Sequence, residues 1–265
     1  MITAAALPLL VTASASAQYD IETTESAVEH DIFRVDLAAR FTSRTFDLTG
    51  PSEVLFDAPY YPGLSLDIAV FPVAIFALDS PAAGIGLGLT TTKHVLNTVA
   101  AYEVGDETFE FDVPTRHDVT RFAFFYEWKV SESVTVIPEL ALHTVEVGLG
   151  YNQLYRNSFY RSVDIGAGVN VAVGPSGLSM LLDFGFRPAV DLGSTVEPFG
   201  KTASSIGLAA EGGLLYRSSI GIYGEAVVAY DRYSTTYRPD RNEDRDDSKA
   251  TDQFQSFVFS LGYAY

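Results

Sequence analysis

Two kinds of chemistry can be read from residue types and their spacing in this sequence. The first is hydrolysis. Glu139 and His143 lie four apart, an even spacing that puts both on one face of a β-strand, and Ser162 and Asp164 share a face of the next extended run. A hydroxyl, an imidazole base and a carboxylate that orients the base are the parts a nucleophilic hydrolase needs. His117-Asp118 at the start of one run and Asp231 at the end of another add an imidazole and carboxylates without a hydroxyl nucleophile. Neither is a paired motif, and a histidine with a serine near it in register is common by chance. The plain reading of His143 is a polar residue on an inner face, and no catalytic residue is assigned.

The second kind is electrostatic. Arg40, Arg121, Glu139, Asp183, Glu211 and Glu225 all fall on the polar phase of extended runs and are expected to form one cluster of charge. Counting from the tight turns sets Asp183 near Glu211 and Glu211 almost opposite Glu225, a row of carboxylates at mid-height. The same counting brings Asp164 to Arg187 as a structural ion pair. Carboxylates that face one another are destabilising unless a cation, water or a counter-charge relieves them, so such a row would favour small cations or cationic solutes.

Other chemistry is excluded or weak. The chain has no Cys, which removes a thiolate nucleophile or metal site. The acidic stretch 240–252 is interleaved with Arg241, Arg245 and Lys249 and lacks the glycine of a calcium loop, so it reads as a solvated loop. Gly84, Gly86 and Gly88 lack the strand-then-helix setting of a nucleotide loop. No metal or cofactor is expected. With 17 basic against 34 acidic residues and a net charge of -17, the chain is no nucleic-acid binder. At 47% apolar content it is not a disordered acidic chain either.

The elements that must position these charges are strands. Phe33, Val35, Leu37, Ala39 and Phe41 alternate with Arg34, Asp36, Ala38, Arg40 and Thr42, which is a strand with one apolar and one charged face. The same period of two recurs in nine further runs, among them Phe122 with Phe124, Met180 with Leu182 and Phe184, and Ile220 with Ile222. Links between runs are expected to alternate: short at 79–81, 130–132, 174–177 and 217–219, long at 46–62, 94–116, 148–157, 191–201 and 234–252. Tyr60, Tyr61, Tyr151, Tyr155, Tyr160, Tyr230 and Tyr233 fall near the long links, where amphipathic rings would anchor a membrane interface.

The final run, FVFSLGYAY, sets Phe257, Phe259, Leu261, Tyr263 and Tyr265 on alternate positions. This resembles the C-terminal strand of outer-membrane β-barrel proteins, where that pattern is the signal read by the barrel-assembly machinery. The resemblance implies an all-β fold: a closed antiparallel transmembrane β-barrel of about ten strands, with eight or twelve as alternatives. It also implies a place in the outer membrane of a Gram-negative bacterium, among lipids and lipopolysaccharide. Backbone physics requires closure, since an unpaired edge in lipid leaves N–H and C=O groups unsatisfied at several kcal/mol each.

Residues 1–17 resemble a secretory signal peptide with Ala15-Ser16-Ala17 as its cleavage site, although no Lys or Arg follows Met1. Residues 18–31 are expected to be a flexible periplasmic lead and 32–265 the barrel. About ten strands fall between a lumen filled by side chains and an open channel. Two functional readings follow. One is a non-enzymatic barrel, either a narrow cation-leaning pore or a structural and surface-contact protein; small OmpA-type barrels resemble the closed form of it. The other is an outer-membrane hydrolase with a site at the outer rim, a class in which the omptin-type proteases resemble this chain in strand number only.

Overall fold

A computed structural model describes residues 31–50, 54–104, 107–149, 157–174, 177–193, 196, 201–239 and 247–265; the signal sequence and lead, apart from Asp31, lie outside the described residues. The strands are β1 (Phe33–Thr49), β2 (Val54–Val70), β3 (Ile85–Val104), β4 (Glu107–Tyr126), β5 (Trp128–Ser131), β6 (Val134–Leu149), β7 (Ser158–Ala172), β8 (Leu178–Asp191), β9 (Thr202–Arg217), β10 (Ile222–Arg238) and β11 (Ser248–Ala264). β5 continues β4 past Glu127, and both pair with β6, so eleven segments make ten staves. Every stave is antiparallel to its neighbours. β1 closes the cylinder on β11 from Arg34↔Ala264 to Thr49↔Lys249, and no edge is left unpaired.

The apolar phase points outward. Leu37, Leu64, Phe122, Leu142, Ile165, Phe184, Leu208 and Phe259 all expose their side chains on the outer wall. In β1 this belt runs from Phe33 to Phe41 and in β11 from Phe257 to Tyr265, nine residues each, the length a tilted strand needs to cross hydrocarbon. Aromatic contacts edge both rims: Phe33 packs on Tyr265 with ring centroids 5.8 Å apart, and Tyr60 on Phe257 at 5.3 Å. These are the rings that settle at a bilayer interface.

Beyond Phe41 the polarity of the wall inverts while the alternation of β1 and its register on β11 continue; on the β2 side a bulge shifts the register between Thr42 and Arg44. Thr45 and Asp47 face outward, and Phe46 and Leu48 face inward to a cluster with Tyr237 and Ala250. The same inversion occurs in β6, where Leu140 and Leu142 face out but Val145 and Val147 face in. Staves of 14 to 20 residues therefore carry the barrel well past the lipid belt.

This corrects the expected links. The segments 46–62 and 94–116 are mostly strand: β1 runs on to Thr49 and β2 begins at Val54, while β3 runs to Val104 and β4 begins at Glu107. Among the short links, 132–133, 173–177 and 218–221 lie close to where they were expected, but the link expected at 79–81 spans 71–84. That link folds back into the terminal end of the barrel. Phe71, Ala74 and Ala83 are buried against Ala123, Phe125 and Ala141, and Phe71 meets Phe125 edge-on at 5.5 Å. A 3-10 turn, Pro81–Gly84, ends it, with the Ser80 hydroxyl accepting from the Ala82 N–H at 3.2 Å. This apolar burial lies at the end of the barrel where β1 begins and β11 ends, the periplasmic end in barrels of this kind.

Candidate functional site: the two-part lumen

The inner phase of the lipid-belted half encloses a cavity of about 980 Å³. It is lined by the acids Asp36, Asp67, Glu127, Glu139, Asp164, Asp183, Glu211, Glu225 and Asp231 and by Arg34, Arg40, Arg121 and Arg187, all on the inner face of the wall. It reaches the terminal rim beside Gly177, Arg217, Ser218 and Ser219. Thr42, His117, His143, Tyr233 and Phe254 line its other end.

Most of these charges are matched. Asp164 is buried between two guanidiniums, accepting from Arg187 Nε at 2.9 Å and Arg121 Nε at 3.5 Å. Arg187 also binds Asp231, and Arg121 binds Glu139. At the terminal mouth Arg34 donates to Glu127 at 2.8 Å and to Asp31 at 2.6 Å, and Arg217 donates to Asp31 at 3.0 Å. Burial alone would raise the Asp31 carboxyl, but the hydrogen bond from Arg217 and the charge of Arg34 outweigh it and hold the pKa below the usual carboxylate value. Asp31 thus anchors the start of β1 and is no part of a loose lead.

The expected carboxylate row is partly assembled. Asp183 and Glu211 stand directly opposite each other on β8 and β9. Glu211 is not opposite Glu225: the turn at 218–221 pairs Glu225 with Leu215 and Glu211 with Ala229, a shift of four residues. Glu225 belongs to another wall, where its hydroxyl neighbour is Ser260 and the carboxylates that act on it are Asp36 and Asp67. Those two also face each other across β1 and β2, each held by a hydroxyl, Asp36 by Tyr223 at 2.8 Å and Asp67 by Thr90. Arg40 lines the cavity from β1.

Above the cavity lies a layer of rings. His94 stacks on His117 with centroids 4.5 Å apart and planes 7° apart, and His117 stacks on Phe254 at 5.0 Å. His94 Nε2 meets the Thr42 hydroxyl at 2.9 Å, His117 Nδ1 the Tyr61 hydroxyl at 2.9 Å, and His143 Nδ1 the Tyr233 hydroxyl at 3.1 Å. Gly63 is required beneath this layer, because a Cβ there would lie 2.3 Å from the His94 ring. Tyr233 stacks on Tyr160, whose hydroxyl donates to Asp252 at 3.1 Å. Asp252 is fully buried and takes a two-pronged contact from Arg44, both bonds 2.8 Å, while Arg44 also reaches Ser158 at 2.7 Å. The Arg44 guanidinium lies over the rings of Phe46, Phe56 and Phe254 at 5.4 to 5.5 Å.

Reading the sequence alone misses this layer. Tyr61, Tyr160 and Tyr233, expected at the membrane interface, turn inward; Tyr60 faces out, and Tyr151 and Tyr155 lie outside the described residues. The available signal is phase: Tyr160 shares the parity of Ser162 and Asp164. Asp252 falls in a segment expected to be loop and Arg44 two residues before another; they are 208 residues apart and meet only because β1 and β11 are neighbours.

The hydrolytic grouping does not assemble. His143 is opposite Ser162, but the Ser162 hydroxyl points to the His143 carbonyl at 3.5 Å and the imidazole binds Tyr233. His117 faces inward while Asp118 faces outward to Arg116 at 3.1 Å, as neighbours on a strand must. Asp231 is engaged by Arg187. Phe257, Phe259, Leu261, Tyr263 and Tyr265 all project from the outer wall of the closing stave.

No family model matches the chain, and no curated protein matches its sequence. Among solved structures, the outer membrane protease OmpT from Escherichia coli superposes with a TM-score of 0.52 at 9% identity, over 92% of this chain and 99% of that one. Neisserial surface protein A gives 0.33 at 10% identity, over 88% and 97%. A Pseudomonas aeruginosa FadL homologue gives 0.34 at 12%, over 88% and 90%. At such identities the OmpT likeness is one of fold, and it agrees with the closed cylinder and its apolar belt: the chain is a ten-staved β-barrel of the outer-membrane type.

Proposed function

We propose that this protein is a non-enzymatic integral outer-membrane barrel whose lumen is a cation-leaning vestibule, open toward the periplasm and closed on the outer side. The observation that carries this reading is the packed layer of Arg44, Asp252, Tyr160 and Tyr233, with Leu48 and Tyr237 above it at 1% and 0% exposure. Ions crossing the barrel would have to pass through buried rings and a desolvated ion pair. The acid excess below favours cations in the water it holds. The outer belt sits in lipid and lipopolysaccharide, and the alternating aromatics of 257–265 serve as the signal to the assembly machinery.

Planar-bilayer recording tests the reading. Wild type is expected to show no steady conductance, and a Tyr233→Ala, Arg44→Ala variant cation-selective steps that Glu211→Gln diminishes. Steady conductance by wild type would refute closure. Hydrolysis of a peptide or lipid that His143→Ala abolishes would restore the enzyme reading, which the engagement of the three described imidazoles, His94, His117 and His143, by hydroxyl groups disfavours.

A further inference from the structure

Inside the vestibule, charges of opposite sign stand on different walls without partners. Arg40 on β1 makes no ion pair among the described residues, and its buried Nε has no hydrogen-bond partner. Its surroundings on β1, β2, β3 and β11 are hydroxyls that bind one another or a ring, Thr42 with Ser256 and His94, Ser65 with Thr92. Asp67 is the acid on this wall that feels the guanidinium, and it is hydrogen-bonded by Thr90. At the roof of the same cavity His117 is 3% exposed, and its Nε2 also lacks a partner. In the tautomer in which the Tyr61 hydroxyl donates to Nδ1, the neutral ring carries its proton on Nε2. Arg40, Gly63, His94 and His117 follow one another in register across β1 to β4, so the two idle groups share one level of the wall. Buried donors without acceptors are costly and uncommon.

Across the lumen the deficit is reversed. Asp183 and Glu211 face each other directly, and no ion pair to either is seen among the described residues. The arginines nearest them are committed: Arg121 to Glu139 and Asp164, Arg187 to Asp164 and Asp231. Facing carboxylates call for a cation.

A bare cation would leave Arg40 and His117 idle, and a bare anion would meet the acid excess. We infer that the vestibule binds a small zwitterion of amino-acid to short-peptide size, its carboxylate on Arg40 Nε and His117 Nε2 and its ammonium between Asp183 and Glu211. A cavity of about 980 Å³ accommodates such a ligand, and the mouth beside Arg217 and Ser218 admits it from the periplasmic side. This rests on the vestibule reading above and names its ligand class.

Titration calorimetry on the folded barrel in detergent tests it, with trialanine, N-acetyl-trialanine and trialanine amide as probes. Trialanine should bind saturably, and each capped form about tenfold more weakly or worse, the loss of one charge-assisted contact. Arg40→Gln should erase the preference for free acid over amide and leave the preference for free amine. Asp183→Asn with Glu211→Gln should do the converse. No saturable binding of trialanine, or equal binding of all three peptides, overturns the inference on wild type alone, whatever the variants do to folding. Binding that only the N-acetyl cap weakens would overturn the Arg40 half. Conductance of the wild-type barrel is read separately, so loss of closure and loss of the ligand site are told apart.

Discussion

The two halves of this barrel solve opposite problems on the same strands. Below the level of Phe41 the wall is apolar outside and charged inside; above it the wall is polar outside and packed inside. A strand offers two faces, and which one is greasy depends on which side meets water. In the belt, lipid is the outer solvent and the lumen face carries the charges, so Leu37 points out and Asp36 and Arg40 point in. Past the belt, water is outside, and Phe46, Leu48, Tyr160 and Tyr237 collapse inward as they would in a soluble barrel. The inversion marks the outer membrane boundary. It also explains why the vestibule and the closing layer occupy separate storeys.

The difference is testable at the ion pairs. In the packed storey, Asp252→Ala leaves Arg44 charged, buried and unpaired, and is expected to cost about 3–5 kcal/mol in unfolding from detergent or vesicles. Arg44→Met combined with Asp252→Leu should recover most of that loss. On the outer wall Arg116 binds Asp118 and Glu146 in solvent, and Glu146→Ala should cost less than about 1 kcal/mol. Equal losses at the two places would mean that the upper storey is no packed core.

Outward-facing positions sharpen the comparison. Leu37→Arg, mid-belt, should destabilise the membrane-inserted barrel by about 2–4 kcal/mol. Thr45→Arg, eight residues on along the same face, should be neutral to within about 0.5 kcal/mol. Inward, Leu48→Ala should cost about 2–5 kcal/mol through the cavity it opens. A penalty at Thr45 matching that at Leu37, measured by urea unfolding from vesicles, would move the boundary outward and sink the two-storey account.

Much of this architecture was legible in the sequence, and the boundary explains what was not. The belt reads plainly because lipid enforces alternation from Phe33 to Phe41, and the same phase puts the charged residues on the lumen wall. Where Phe46 and Leu48 switch sides, the pattern looks like a strand ending, and 46–62 reads as loop. Asp183 and Glu211 could be placed opposite each other from their turn, whereas Glu225 slipped because the link 218–221 is one residue longer and lies later than expected. Even small errors in a turn are doubled across a hairpin. The contact between Arg44 and Asp252 has no local signature at all, and neither do the idle donors of Arg40 and His117, which are defined by what fails to reach them.

The mildest effect belongs to the terminal mouth, where Asp31 is held by Arg34 and Arg217. Its carboxyl ionises more readily in the folded barrel than in the unfolded chain, whose value is 3.8. The ionised form is therefore the one that stabilises the fold. Its contribution is fully present above the unfolded value and is lost as pH falls through the lower folded one, once the proton blocks the two arginines. Asp31→Asn should accordingly lower stability at neutral pH and flatten the acid limb of the stability profile, while leaving Asp252 and its layer intact. Unfolding of wild type and variant followed from pH 6 down to about pH 2 reads this directly. Parallel acid limbs in the two proteins would assign the acid sensitivity elsewhere and leave Asp31 a bystander at the mouth.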